Sequence, residues 1–196
     1  MPYIQTHYQE EDSALALKKV IQLAYRHYYR ARVTDFMPML AQVFVKNGTQ
    51  PGRRLIATCG LRSADEILLL EQYLPAPIEK CISENEKTAV ERKKILEVGQ
   101  LVMQDAKEIK TLFRMMTEYC KEHHFDYMVF TVVRVLKTHL DRYCVPTREL
   151  ARADISQVKQ PEQWGHYYRH EPVVLYVNVA SAYDVLHENE LIRHCG

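Results

Sequence analysis

The stretch from Ile95 to Arg142 leaves the fold the least freedom. Ile95–Val102 is a short apolar run with a single carboxylate, Glu97, inside it, and reads as a strand. From about Asp105 to His123 the apolar residues Ile109, Leu112, Phe113, Met116, Tyr119 and Cys120 recur at helical spacing on one face. Tyr127–Val133 is a second apolar strand, Val135–Arg142 a second helix, and Pro146 closes the unit. Two strands joined through a helix by short links pair in parallel, because a parallel crossover needs about a dozen residues and a helix supplies them. The expected fold class is therefore α/β.

The flanks fit around this unit. A helix is predicted over Ser13–Arg32, with Leu17, Val20, Ile21, Ala24 and Tyr28 on its apolar face. Two strands follow, Met39–Val45 and Arg54–Arg62, separated by a turn at Asn47–Gly52. Residues Glu66–Tyr73 read as helical up to Pro75 and Pro77, and the polar stretch Cys81–Lys94 as a loop or short exposed helix. One more strand, Val173–Val179, comes after a turn-rich region around Trp164-Gly165. With 196 residues, 47% of them hydrophobic, the chain is long enough for one domain spanning 1–196 and too apolar for wholesale disorder.

Charge and motifs exclude several function classes. Lys and Arg number 26 against 25 Asp and Glu, a net charge of +1, so no broad polyanion-binding face and no nucleic-acid partner are expected. The basic, aromatic run Tyr25–Arg32 reads as an amphipathic packing helix whose cations suit its C-terminal dipole. No signal-like N-terminus and no apolar run near 18 residues is present, so no transmembrane segment is expected. Five scattered cysteines (Cys59, Cys81, Cys120, Cys144 and Cys195) form no C-x-x-C pair, which points to a reduced, cytoplasmic protein without a zinc site. The G-x-S-x-G, Walker A and G-x-G-x-x-G patterns are all absent. His166 and His170 have metal-ligand spacing but lie in a turn with no carboxylate between them, so no metal is expected; His123-His124 sits where a helix C-terminus welcomes positive charge.

Two features remain as candidate chemistry. Glu97 either has a partner, for which Arg62 at the end of an earlier strand is available, or faces solvent on the alternate side of its strand. Gln100–Lys107 leads from a strand into a helix N-terminus, where free backbone N–H groups could meet a phosphate, although Asp105 is placed to cap those donors itself.

The phrases Tyr29–Val33, Phe36–Leu40, Gly60–Ala64, Leu70–Leu74, Pro77–Glu79, Glu97–Leu101, Val129–Thr131, Leu150–Asp154 and Trp164–Tyr168 are spread in order over most of the chain. Together they resemble the thermostable hemolysin family, which is similar in layout to acyl-homoserine-lactone synthases and the wider GNAT-like acyltransferases. The resemblance implies a mixed, bent central sheet flanked by helices, with an acyl thioester between two splayed strands. It implies a donor that is acyl-CoA or an acyl carrier protein, and a small amine or similar molecule as acceptor. By position, Glu97 and Arg62 correspond to a buried catalytic pair. Gly99, Gln100, Leu101 and Val102 fall on the strand that takes the pantetheine arm, and Met103, Asp105, Ala106 and Lys107 on the pyrophosphate loop. Three positions depart from the pattern: Met103, Gln104 and Asp105 stand where small residues are usual, Leu140 stands in place of a tyrosine, and Gln100 in place of an asparagine. Two alternatives accompany acyl transfer. One is a membrane-active, hemolytic or acyl-chain-binding protein using Tyr25, Tyr28 and Tyr29; the other is a catalytically inactive scaffold. Divergence of the strands carrying Glu97 and Tyr127 would separate an open site from a closed, packed sheet.

Overall fold

The computed structural model describes residues 3–46 and 52–191, so most of the turn expected at Asn47–Gly52, and Cys195, lie outside the described residues. The strands are β1 (Tyr3–Tyr8), β2 (Met39–Lys46), β3 (Arg53–Ser63), β4 (Ile95–Met103), β5 (Tyr127–Val132), β6 (Thr147–Arg152) and β7 (Val173–Asn178). The helices are α1 (Ala14–Tyr29), α2 (Ile78–Glu86), α3 (Ile109–Glu122), α4 (Arg134–Arg142) and α5 (Val179–Leu191). The strands form one sheet in the order β1-β2-β3-β4-β5-β7-β6. Only the central β4–β5 pair is parallel, as the α3 crossover requires; its neighbours are antiparallel.

Alternation along the central strands divides the core between two faces. Leu96, Val98, Met128 and Phe130 pack on one side with Leu112, Phe113 and Met116 of α3 and with Ala182 and Leu186 of α5. Ile95, Tyr127 and Val129 point the other way, toward Ile78 and Ile82 of α2. Farther along that second side, Leu17, Ile21 and Tyr25 of α1 pack with Leu40 and Val102.

Four expected elements differ in the structure, and β1, β6 and α5 have no counterpart among the expected ones. α1 ends at Tyr29, because Arg30 takes a left-handed conformation (φ 57°) that stops the helix. Ser13 does not cap it; its hydroxyl donates to Glu11 and is shared with His7. The expected helix over Glu66–Tyr73 is a short 3-10 turn, Leu69–Tyr73, because the N–H groups of Leu68, Leu69 and Leu70 are taken by glutamate side chains. Within Cys81–Lys94 the start belongs to α2, whose Ile78, Cys81 and Ile82 form a buried stripe. The strand expected to reach Val179 stops at Asn178, whose side-chain oxygen accepts from the Ser181 N–H and starts α5.

A loop between α1 and β2 crosses the sheet and is let in by two glycines. Met37 lies across paired Gly60 and Gly99, where an added Cβ would come within 2.8 Å and 2.3 Å of its side chain, respectively. The loop can therefore lie directly on the strands that carry the expected site.

Candidate active site at the split between two strands

β4 and β5 pair only at Ile95–Tyr127, Leu96–Met128 and Glu97–Val129, and beyond Glu97 the ladder ends. The cause is a bulge in β4. Between the Gly60–Gly99 and Thr58–Val102 pairs, β4 advances three residues while β3 advances two. Gln100 sits in the bulge with φ +50°, a conformation uncommon for a side-chain-bearing residue. Its amide is held by the crossing loop, with Nε2 donating to the Asp35 carbonyl (2.6 Å) and Oε1 accepting from the Met37 N–H (3.2 Å). The bulge bends β4 away from β5, and the edge of Val98–Met103 that faces β5 is left without a strand partner.

Two cavities open onto this gap. The first, about 440 Å³, is apolar, with Ile109, Leu112, Phe113 and Met116 of α3 facing Met128 and Phe130. The second, about 760 Å³, holds Arg32, Asp35, Arg62, Glu97, Tyr73 and Trp164 in its walls. Tyr25, Val98, Gly99, Thr131 and Tyr167 line both, so the two spaces adjoin where the strands separate.

Glu97 faces the second cavity and is only 3% exposed, which removes the solvent-facing alternative. Its two oxygens accept the N–H groups of Leu69 (2.9 Å) and Leu70 (3.0 Å). Burial raises its carboxyl to about 7, against the opposing pull of those N–H groups and of the Arg62 charge. Arg62 is the cross-strand neighbour of Glu97 but does not hydrogen-bond to it. Its Nη1 donates to the Ile67 carbonyl (2.9 Å), while its buried Nε has no hydrogen-bond partner among the described residues. The expected clamp of Glu97 by Arg62 is thus replaced by the backbone of the 3-10 turn.

That turn is anchored by residues the sequence reading missed. Glu71 accepts from the Leu68 and Ile78 N–H groups (3.0 Å each) and from both Nη atoms of Arg92 (2.6 and 2.7 Å). Arg92 also reaches Glu79 (2.7 Å). Burial opposes ionisation of Glu71, but the Arg92 bonds and the two backbone N–H groups outweigh it and bring the carboxyl down to about 2. The signal available in the sequence is a carboxylate just ahead of Pro75 and Pro77, with a cation well downstream and nothing local to link them.

The remaining expected site residues separate. Gly99, Leu101, Val102, Met103 and Ala106 line the first cavity, and Gln100 the second; Asp105 and Lys107 line neither. Asp105 accepts from the Lys107 N–H (2.9 Å), so one of the donors expected for a pyrophosphate is already taken. Arg54 pairs with Glu108 and lies 3.9 Å from Asp105, adding a second carboxylate to this loop. His166 precedes a 3-10 turn, Tyr167–His170, and His170 ends it, and among the described residues no group of His, Cys, Asp or Glu gathers to hold a metal ion. No helix among the described residues is long and apolar enough to cross a membrane.

The fold is shared with known structures. The acyl-homoserine-lactone synthase LasI superposes with a TM-score of 0.61 at 11% identity, covering 96% of this chain and 95% of its own. BjaI, a CoA-dependent acyl-homoserine-lactone synthase solved with SAM and isopentyl-CoA, gives 0.56 at 10% identity over 96% of this chain and 89% of its own. FeeM, an N-acyl amino acid synthase from uncultured soil microbes, gives 0.56 at 13% identity over 91% of this chain and 94% of its own. No curated protein matches the sequence. The fold is thus GNAT-like, with a seven-stranded mixed sheet flanked by helices. The model of one family, thermostable hemolysin, matches residues 7–183, and the chain belongs to that family.

Proposed function

We propose that the protein transfers an acyl group from a thioester, carried on CoA or on an acyl carrier protein, to a small amine. The observation that carries this reading is the end of the β4–β5 ladder at Glu97–Val129, with an apolar and a polar cavity meeting in the gap. A thioester in the gap would run its pantetheine arm along Gly99–Met103 and its acyl tail toward Leu112, Phe113 and Met116. Backbone donors on the unpaired edge of β4 would polarise the thioester carbonyl and stabilise the oxyanion formed on attack. The acceptor would enter through the second cavity, where Glu97, with a carboxyl near 7, suits removal of a proton from an attacking amine at neutral pH. Arg62 lines the same cavity and is an orienting cation there. At the start of α3 the Lys107 N–H is already taken by Asp105 and Arg54 is engaged by Glu108, which leaves fewer donors for a pyrophosphate and favours the singly phosphorylated arm of a carrier protein.

The test is to incubate the protein with octanoyl-CoA or octanoyl carrier protein and a mixture of α-amino acids and short diamines. Thiol release and an N-octanoyl product detected by mass spectrometry are expected. Absence of both, together with no thermal shift on adding either thioester, contradicts the reading. A thermal shift without turnover would identify an acyl-chain-binding protein instead.

A further inference from the structure

The polar cavity carries more positive charge than transfer to a plain amine would use. Three cations stand in its walls: Arg32 from the loop between α1 and β2, Arg62 near the end of β3, and Lys159 from the connection between β6 and β7. None of the three is in an ion pair among the described residues. The carboxylates on the same walls do not balance them. Glu71 is bonded to Arg92, which lies outside this cavity, and Glu97, with its carboxyl near 7, is only partly ionised at neutral pH. That leaves Asp35, so the space is net positive in a chain whose overall charge is only +1.

The fold gathers these cations by joining two segments far apart in the chain. The Arg32 N–H donates to the Gln163 carbonyl (2.6 Å), and the Thr34 hydroxyl donates to the Gln163 side-chain oxygen (3.1 Å). Next to them the His166 N–H donates to the Tyr29 carbonyl (2.6 Å). Gly165, at φ +51°, lies so close to the end of α1 that a Cβ would stand 2.3 Å from that same oxygen. Only glycine permits this approach. The loop with Arg32 and the connection with Lys159 are thus held as two banks of one opening. Arg32 and Lys159 are exposed, whereas Glu97 is 3% exposed. Cations at the rim and a proton acceptor at depth give the space an anion end and an amine end.

An aliphatic amine arrives mostly as an ammonium at neutral pH, and a net positive space repels it unless the rest of the molecule is negative. One acidic group cancels the ammonium and still leaves the wall charge uncompensated; a second acidic group compensates it. We propose that the acceptor is an amine of net negative charge, an amino dicarboxylate of the aspartate and glutamate class, entering amine first toward Glu97 with its acidic groups on Arg32 and Lys159; this rests on the acyl-transfer reading above. Arg62, whose Nη1 is engaged by the Ile67 carbonyl, adds its charge without a direct bond. The nitrogen bonds to the thioester carbon, the carbon–sulfur bond breaks, and the proton that nitrogen loses is balanced by the one that sulfur gains. The products are an N-acyl dicarboxylate and the free thiol.

The experiment uses acceptor pairs of nearly equal shape that differ by one charge, L-aspartate with L-asparagine and L-glutamate with L-glutamine. Each is offered with octanoyl-CoA and with octanoyl carrier protein, and the N-octanoyl product is measured. The acid of each pair should have the higher kcat/KM by about 10- to 100-fold, as the loss of a hydrogen bond to a charged group implies. In a double variant, Arg32→Gln with Lys159→Gln, that preference should shrink to under about threefold. Both positions are exposed, so the substitutions leave the core intact. Equal use of acid and amide by the native protein, or a preference that the double variant keeps, overturns the proposal. Calorimetry separates it from the acyl-transfer reading: N-octanoylglutamate should bind the native protein about 10-fold more tightly than N-octanoylglutamine, whether or not transfer is detected. That difference without turnover on either thioester would defeat acyl transfer and keep the acidic ligand class, and no difference would overturn the site itself.

Discussion

Glu71 and Glu97 grip the same loop from two sides, and the chain treats their charges in opposite ways. Each accepts two backbone N–H groups, Glu71 from Leu68 and Ile78, Glu97 from Leu69 and Leu70. Glu71 also has the Arg92 guanidinium on it and falls to about 2, whereas Glu97 has Arg62 only as a neighbour turned toward Ile67 and rises to about 7. The half-buried Glu71 has a bonded cation besides its two N–H bonds, whereas Glu97 is the more deeply buried of the two, and its two N–H bonds do not offset that burial. The first arrangement serves a wall that must stay put, the second a group poised to exchange a proton.

The comparison breaks most sharply at Glu97. In Glu97→Gln the acyl-transfer rate should fall about 100-fold, because the proton acceptor is gone while the side chain keeps its size. In the native protein the rate should rise with pH through about 7 as Glu97 loses its proton, and the variant should lose that limb. A pH–rate series on both proteins checks this, and a native profile that is flat between pH 5 and 9 would contradict it.

Arg92→Met tests the other carboxylate. It leaves Glu71 partly buried without its cation, at a cost of about 1–3 kcal/mol in stability. The sign with pH follows from the lowered carboxyl. In the native protein the contribution of Glu71 is complete above its ordinary value near 4.5 and is lost as pH falls toward about 2. The variant lacks most of that contribution, so its stability should fall less between pH 5 and 3 and the gap to the native protein should narrow as pH falls. Urea unfolding at pH 3, 5 and 7 measures both, and a difference between native and variant that does not change with pH would count against the assignment.

A smaller effect is expected in the apolar cavity. Met116→Trp should fill part of the space along α3 and shift preference toward shorter acyl donors by up to several-fold per carbon, given about 0.8 kcal/mol per buried methylene. Relative rates across hexanoyl, octanoyl and decanoyl thioesters read this out, and an unchanged ranking would mean the tail lies elsewhere. The smallest effect belongs to Asp105→Asn. The cap to Lys107 is kept but the charge is removed, so KM for octanoyl-CoA should fall a few-fold while that for octanoyl carrier protein barely moves. A parallel change in both would show that the loop does not face the CoA pyrophosphate.

The parts of this site that the sequence makes legible are those set by local periodicity. Ile95–Val102, the α3 face and Tyr127–Val133 carry enough alternating or helical pattern to predict the parallel pair, and Glu97 stands out as a carboxylate among apolar neighbours. The edge strands β1 and β6 escape because they bury too little: in β1 only His7 is buried, and in β6 no residue is. The split itself depends on a left-handed Gln100 held by Asp35 and Met37, a residue type that does not advertise positive φ. The Glu71–Arg92 anchor and the placement of Tyr167 against Thr131 are contacts between residues far apart in the chain, and no local pattern encodes them.

Where the acyl tail lies is the most direct test of the whole arrangement. An octanoyl-CoA analogue with a photoreactive diazirine at the end of its chain should label peptides from α3, Ile109–Glu122, on irradiation, and excess unlabelled octanoyl-CoA should suppress the labelling. Labelling confined to the Leu69–Tyr73 turn or to the Pro161–His170 connection, or none that competitor removes, would contradict a donor seated between β4 and β5.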